Sequence, residues 1–333
     1  MSLAAHAAPG DTTFGGKMFF DFTHIDQTNS DTGDTDASGT GLDVKRFYLQ
    51  VDHAFDDIWS ATLVTDFNYV GNDSETQVFV KKAYVQGKFD RAAVLRVGSA
   101  DMPWIPFVEN WYGFRYVENT LVDRLKIGNS ADWGLHLGGD VGASQSFDYA
   151  VSAVNGAGYK NPGRGKGVDV EGRVGFAPMD GMIVALGGYS GKRGMETETV
   201  DAFNTASRAD LMVAYAGKRV RLGAEYFQAR NWNSVLTPET DKADGASLWG
   251  SVGVSDSMTV FARYDKADLG KDLDPDAKDT YYNAGIEFRI NKGFKLAAVY
   301  KHERRTGRAD APLPIHVADT VTNEFGVWGE VKF

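Results

Sequence analysis

The sequence predicts an all-β protein, a 16-stranded antiparallel transmembrane β-barrel, and three observations predict it. Period-two alternation runs through nearly every segment, short and long connectors take turns along the chain, and no helix-period segment competes convincingly. No apolar run approaches the roughly 18 residues of a spanning helix, "MIVALGG" being among the longest, so any membrane crossing must use strands.

Composition agrees. With 333 residues, 38 glycines, 20 phenylalanines, 14 tyrosines, 7 tryptophans and no cysteine, the chain suits many strands and tight turns, and has no disulfide framework or thiolate metal site. A net charge of -10 without a long Lys/Arg cluster argues against nucleic acid as a partner. Residues 1–12, "MSLAAHAAPG" onward, read as a tail, either an expression start fused near a signal cleavage site or an ordinary disordered N-terminus; residues 13–333 read as one barrel.

The strands are expected to begin near residues 13, 43, 58, 75, 92, 131, 146, 166, 181, 206, 219, 244, 257, 278, 293 and 322. Between them "AFDDIW", "KFDR", "VGASQS", "APMDG", "AGKR", "VSDS" and "INKG" are tight-turn chemistry. The other connectors are long, at 25–42, 100–130, 155–165, 191–205, 231–243, 267–277 and 303–321, with a brief exception near "VGNDSE". One trimmed end and one elaborate end, with an even strand count, is the asymmetry of a barrel in a bacterial outer membrane. The third connector at the elaborate end, 100–130, has no clear period and has room for a short helix.

Within strands the two parities separate. Ala209, Leu211, Val213 and Tyr215 oppose Arg208, Asp210, Met212 and Ala214; Val220, Leu222, Ala224 and Tyr226 oppose Arg221, Gly223, Glu225 and Phe227. Met258, Val260, Ala262 and Tyr264 oppose Arg263 and Asp265, and Tyr282, Ala284, Ile286 and Phe288 oppose Asn283, Glu287 and Arg289. The apolar parity faces lipid and the charged one a wet interior, since hydrocarbon cannot solvate a charge. A soluble sandwich would need a drier interior parity than this. In "VKKAYVQ" the neighbours Lys81 and Lys82 break the rule, so one of them must face the wrong way or lie near the edge of the band.

By parity the pore-lining set is Lys17, Arg46, Arg96, Arg173, Arg208, Arg221, Arg263, Arg289, Lys295, Lys301, Asp210, Glu225 and Glu287, nearly balanced in sign. The long connector mixes Trp104, Phe107, Trp111, Tyr112, Phe114 and Tyr116 with Glu109, Arg115, Glu118, Asp123, Arg124 and Lys126. Its aromatics read either as anchors against the wall or as a track for sugars. Aromatics at strand ends, Trp59, Phe176, Tyr226, Phe288, Phe294 and Phe333 among them, read as interface girdles, and membrane lipid with lipopolysaccharide follows as a partner.

The ending "TNEFGVWGEVKF", with Phe325, Val327, Val331 and Phe333 on one face, resembles bacterial outer-membrane proteins, in which a terminal aromatic is the signal for the barrel assembly machinery. The stretches "KRFYLQVDHAFDDIWSATLVTDF", "KKAYVQGKF", "LRVGSADMPW" and "ADWGLHLGGDVG" resemble the phosphate-selective porin family of O and P type, over about the first 140 residues. That resemblance implies that residues 100–130 fold into the lumen as its constriction, that Arg46, Tyr84, Arg96, Gly98 and Pro103 take family positions, and that the protein is a homotrimer. In "RYVEN" Glu118 is kept but Asn119 stands where the family has Arg, and the loop has no lysine cluster.

The expected function is a passive, water-filled channel for small hydrophilic solutes, with a mild anion or phosphate preference, neutral size-limited diffusion, a carbohydrate preference and a plugged structural barrel as alternatives. Enzymatic chemistry and a metal site are not expected: the histidines at 6, 24, 53, 136, 302 and 316 have no ligand spacing and no triad motif appears. The acidic loops "DTGDTDASG" and "DLGKDLDPDAKD" lack the calcium-loop pattern and read as solvated, and no cofactor is implied.

Overall fold

A computed structural model describes residues 8–30, 32–70, 75–142, 146–308 and 318–333. The first seven residues of the expected tail, the centres of the "VGNDSE" and "VGASQS" connectors, most of the last loop, and with them His6 and His316, lie outside the described residues.

Strands β1 (Thr12–Asn29), β2 (Thr35–Ala54), β3 (Trp59–Val70), β4 (Glu75–Lys88) and β5 (Val94–Asp101) come first. The connector after β5 holds helices α1 (Ile105–Tyr112) and α2 (Leu121–Arg124). Then follow β6 (Ala131–Val141), β7 (Phe147–Val154), β8 (Asp169–Phe176), β9 (Met182–Gly191), β10 (Ala206–Ala216) and β11 (Val220–Arg230). The chain ends with β12 (Lys242–Gly253), β13 (Met258–Asp268), β14 (Lys278–Arg289), β15 (Phe294–Thr306) and β16 (Thr320–Lys332). Each strand pairs antiparallel with its chain neighbours, and β1 closes on β16, giving one closed barrel.

The alternation is realised in side-chain exposure. On β10, Ala209, Leu211, Val213 and Tyr215 are exposed and Arg208, Asp210, Met212 and Ala214 are buried. Leu248 is 60% exposed, Leu222 53% and Val174 57%, on a closed barrel whose charges point the other way. So continuous an apolar exterior is stable only against hydrocarbon. Rings gather at the short-turn end, where Phe147 stacks on Phe176 at 4.8 Å and Trp59 meets Phe89 edge-on at 5.7 Å.

Two features differ from the sequence reading. The first long loop, expected at 25–42, shrinks to 30–34 because β1 and β2 continue as a hairpin beyond the belt, with residues 35–42 exposed. Above the belt both faces of a hairpin are wet, so polar Thr, Ser, Gly and Asp keep pairing without an apolar face.

Lys81 and Lys82, of which one was expected to face the wrong way or sit at the edge, both avoid lipid. The register jumps from Val64↔Lys82 to Thr65↔Val80, so Lys81 sits in a β-bulge. Val78 and Val80 stay outward before it, Val85 stays outward after it, and both lysines reach interior partners, Lys81 the Tyr48 hydroxyl at 3.1 Å and Lys82 the Asp101 carboxylate at 2.5 Å. A second bulge does the same on β2: Phe19 faces Arg46 and Phe20 faces Val44, leaving Lys45 between them in ion pairs with Asp21 at 3.3 Å and Asp43 at 2.8 Å.

The C-terminal residue completes the closure. Gly16 N–H donates to Phe333 O at 2.9 Å and Phe333 N–H to Gly16 O at 3.2 Å, while the ring lies over Gly16, where an added Cβ would come within 2.3 Å of it. Glycine is required there by space.

Candidate functional site

The candidate site is the lumen together with the loop at 102–130, which packs inside the barrel. Trp104 starts it. Its side chain is fully buried, its backbone N–H donates to Glu171 at 2.9 Å and its indole N–H to Glu225 at 2.8 Å. Gly187 on β9 makes the room, since a Cβ there would approach the indole to 2.5 Å. Helix α1 follows, with proline in its first turn, and ends at Gly113 in the left-handed region (φ 81°), whose N–H donates to Glu109 O.

The aromatics of this loop pack against the barrel wall. Phe114 stacks on Phe261 at 4.2 Å, Tyr112 meets Trp249 edge-on at 5.9 Å, and the Tyr116 hydroxyl donates to Glu287 at 2.8 Å. Phe107 and Trp111 are partly buried against the same core, Phe107 under the Arg173 guanidinium at 3.6 Å. Of the two readings open from the sequence, the wall anchor matches these contacts, and a sugar track would need rings that are open to solvent.

Most of the inward charges of β8–β16 end on the loop or on one another rather than on open space. Arg208 donates to Ile127 O at 2.5 Å and pairs with Asp210 at 2.8 Å and Glu171 at 3.0 Å. Arg263 donates to Asn119 O at 2.5 Å and pairs with Asp265 at 2.6 Å. Arg221 donates to Asn110 O and Trp111 O, and Arg173 to Pro103 O. Lys301 bridges Glu118 and Glu324 at 3.2 Å each, and Lys295 lies 3.1 Å from Glu287. From the loop side Arg124 reaches Asp265 at 3.2 Å, Asp279 at 2.5 Å and also Glu303. Such buried pairs contribute little net stability when intact, but removing one partner strands a charge, so they fix where the loop lies. Burial works against the Glu118 anion, yet Lys301 beside it holds the carboxyl down at about 2. Burial pushes the Asp123 carboxyl upward despite Arg115.

Lys126 is exposed with φ 58°, and its carbonyl accepts the Trp232 indole N–H at 2.9 Å. Arg289 is exposed at the short-turn end of β14.

The wall formed by β1–β5 is different. Lys17 lies over the Phe19 ring at 5.7 Å, Arg96 donates to the Gln86 side chain at 2.8 Å, and Lys81 lies 4.7 Å from the Tyr48 ring, none with a carboxylate within ion-pair distance among the described residues. Arg46 is 3.6 Å from Asp66. The loop presents Arg115 to this side, flanked by Glu109 at 2.5 Å and Asp123 at 3.3 Å. Lys45, Lys81 and Lys82 were absent from the sequence-derived lumen set. The signal that finds Lys81 and Lys82 is the flip of apolar phase between Val80 and Ala83, which a bulge explains and a straight strand does not.

No protein-family model and no curated protein matches the chain. Among solved structures it is similar to an anion-selective porin from Comamonas acidovorans, at 13% identity and TM-score 0.65, over 97% of this chain and 100% of that one. It is also similar to the outer membrane channel DcaP of Acinetobacter baumannii (13% identity, TM-score 0.68, 98% of each chain) and to Salmonella typhi OmpF in complex with daunomycin (13%, 0.68, 97% and 98%). The chain has the porin fold.

Proposed function

We propose that this protein is a passive channel of the bacterial outer membrane that admits small hydrophilic solutes and favours anions. The supporting observation is the division of the interior. The loop is held against β8–β16, where charges cancel in pairs, while Lys17, Lys81 and Arg96 on the opposite wall have no carboxylate within ion-pair distance among the described residues. Cations left outside ion pairs on a wall raise the local anion concentration and lower the barrier to anion passage. Selection rests on width and field, without energy coupling or covalent chemistry.

Phosphate preference is the narrower form of this reading. Lysines at bulges on β2 and β4, rather than in the loop, are the groups that would serve it, beside Arg46 and Arg96. A homotrimer fits the neighbours, one of which is a trimer form of Vibrio cholerae OmpT. Phe333, at the closing seam, is the residue offered to the assembly machinery, and the apolar belt is the surface for lipid and lipopolysaccharide.

Planar-bilayer recording of the purified protein in a KCl gradient tests the channel. The expected reversal potential favours chloride, and R46A/K81A moves it toward zero; absence of conductance, or an unchanged potential in the variant, rejects the reading. Phosphate added to one side is expected to reduce chloride current in the wild type more than in the variant.

A further inference from the structure

We infer that the outer wall across β12–β15 carries a seat for a phosphorylated, acylated membrane lipid, with the phosphate on Lys266 and Arg304 and acyl chains in an apolar depression beneath them. The inference rests on the membrane reading above and adds a site to it.

Lys266 pairs in register with Thr280, and Thr280 with Arg304, so three adjacent strands present these residues in one row. The row faces outward, because it continues the parity of the exposed Tyr264, Tyr282 and Tyr300. Lys266 and Arg304 are exposed, and among the described residues neither side chain has a hydrogen bond or ion pair. Most inward cations, by contrast, have such a partner. Neighbouring strands lie about 4.8 Å apart, which puts the two backbones roughly 10 Å apart, within reach of a shared anion over the Thr280 hydroxyl. Of the acids nearby, Asp244 pairs with Lys271, and Asp268 lies in register opposite Lys278.

One row below, Tyr264, Tyr282 and His302 are cross-strand neighbours. His302 stacks on Tyr282 at 4.9 Å and its Nδ1 lies 2.9 Å from Asn323 Oδ1, which also accepts the Tyr300 hydroxyl at 2.7 Å. This is a polar-aromatic step of the kind that sits at a headgroup boundary. Below Tyr264 and Tyr282, and extending sideways as far as β9, lies a depression of about 740 Å³ in the apolar belt. Its floor is the cross-strand row Gly250, Ala262 and Ala284, and Leu222, Leu248 and Tyr264 rise around it. Small side chains where the neighbouring rows are large make the wall concave.

The pairing of the two features selects the ligand. A soluble anion would leave the depression unfilled, and an uncharged chain would leave two cations unpaired at the edge of a low-dielectric layer, where charge-assisted contacts to phosphate are strongest. A lipid with a headgroup phosphate and several acyl chains satisfies both.

Native mass spectrometry of the full chain in detergent tests the seat, with bisphosphorylated lipid A, its dephosphorylated form and inorganic phosphate as probes. Wild type is expected to retain the phosphorylated lipid about tenfold or more better than the dephosphorylated one, and not to retain inorganic phosphate. K266A/R304A is expected to erase that preference, and A262L, which fills the depression, to weaken both lipids. Equal retention of the two lipids by wild type, or wild-type retention by K266A/R304A, overturns the seat. Conductance of K266A/R304A in bilayers is expected to match wild type, so a conducting barrel without lipid preference rejects the seat alone, whereas lipid preference without conductance supports the seat and rejects the channel.

Discussion

Glu118 shows how one loop carboxylate is coupled to acidity. Its folded-state pKa, about 2, lies below its ordinary value of 4.5, so in the interval between them the unfolded chain binds more protons and stability rises with pH. The Lys301 contact is therefore at full strength above about 4.5 and fades as pH falls toward about 2. Acidification through that window is expected to start current fluctuations in bilayer recordings, and E118Q to fluctuate already at neutral pH with a flat acid response; a variant that keeps the wild-type acid step would assign the effect elsewhere. A second single-residue test concerns closure. In G16A the new methyl meets the Phe333 ring at 2.3 Å and the Tyr48 carbonyl oxygen at 2.7 Å. The exposed ring can turn aside, but the backbone oxygen cannot. The expected result is a smaller heat-resistant folded fraction on cold SDS gels, close to that of a chain lacking Phe333.

At the scale of the strand, a side chain's parity decides its solvent, and the bulges are where parity is reset. Deleting Lys81 leaves Val78 and Val80 outward, Phe79 and Lys82 inward and Ala83 outward in unbroken alternation, so this deletion is expected to fold and to cost only one lumen cation. Deleting Val80 instead turns either Lys81 or the Val78 side of the strand to the wrong medium, at about 2–4 kcal/mol for a lysine at mid-membrane. Refolding yield read by gel mobility separates the two; equal yields would mean that the bulge does not set the phase. The same logic explains what the sequence could disclose. Sixteen strands were legible because each crosses the belt with one greasy parity, and the flip at Lys81–Lys82 was legible as an anomaly though not as a bulge. The continuation of β1 and β2 through 25–42 was hidden because above the belt neither face is apolar and the period carries no signal. Parity likewise gave the inward direction of Arg208 and Arg263 but not their endpoints: Glu171 and Ile127 lie 37 and 81 residues from Arg208, a distance that only closure of the barrel brings together.

For the whole molecule, the net charge of -10 misdescribes the path a solute takes. Most inward charges on β8–β16 are spent on the loop or on each other, whereas Lys17, Lys81 and Arg96 on β1–β5 have no carboxylate within ion-pair distance among the described residues. On the channel reading proposed above, the position of the loop sets both width and sign, and Arg124 is its most connected contact, meeting Asp265, Asp279 and Glu303 on three successive strands. Replacing it by methionine keeps the bulk and removes the charge. Asp265 retains Arg263, and Asp279 and Glu303 retain Arg305, so the loss is expected to fall below the roughly 3–5 kcal/mol of a fully stranded buried charge. The strand ladder does not depend on the loop, so R124M should fold and close. What changes is the interior: three carboxylates lose a shared cation, the α2 segment loosens from β13–β15, and negative potential enters the path. Single-channel recording is expected to give larger, noisier currents and a reversal potential moved toward cations. A folded R124M with wild-type current and selectivity would mean that the loop is held by its aromatic contacts alone, and that the ion pairs add nothing to the channel's sign.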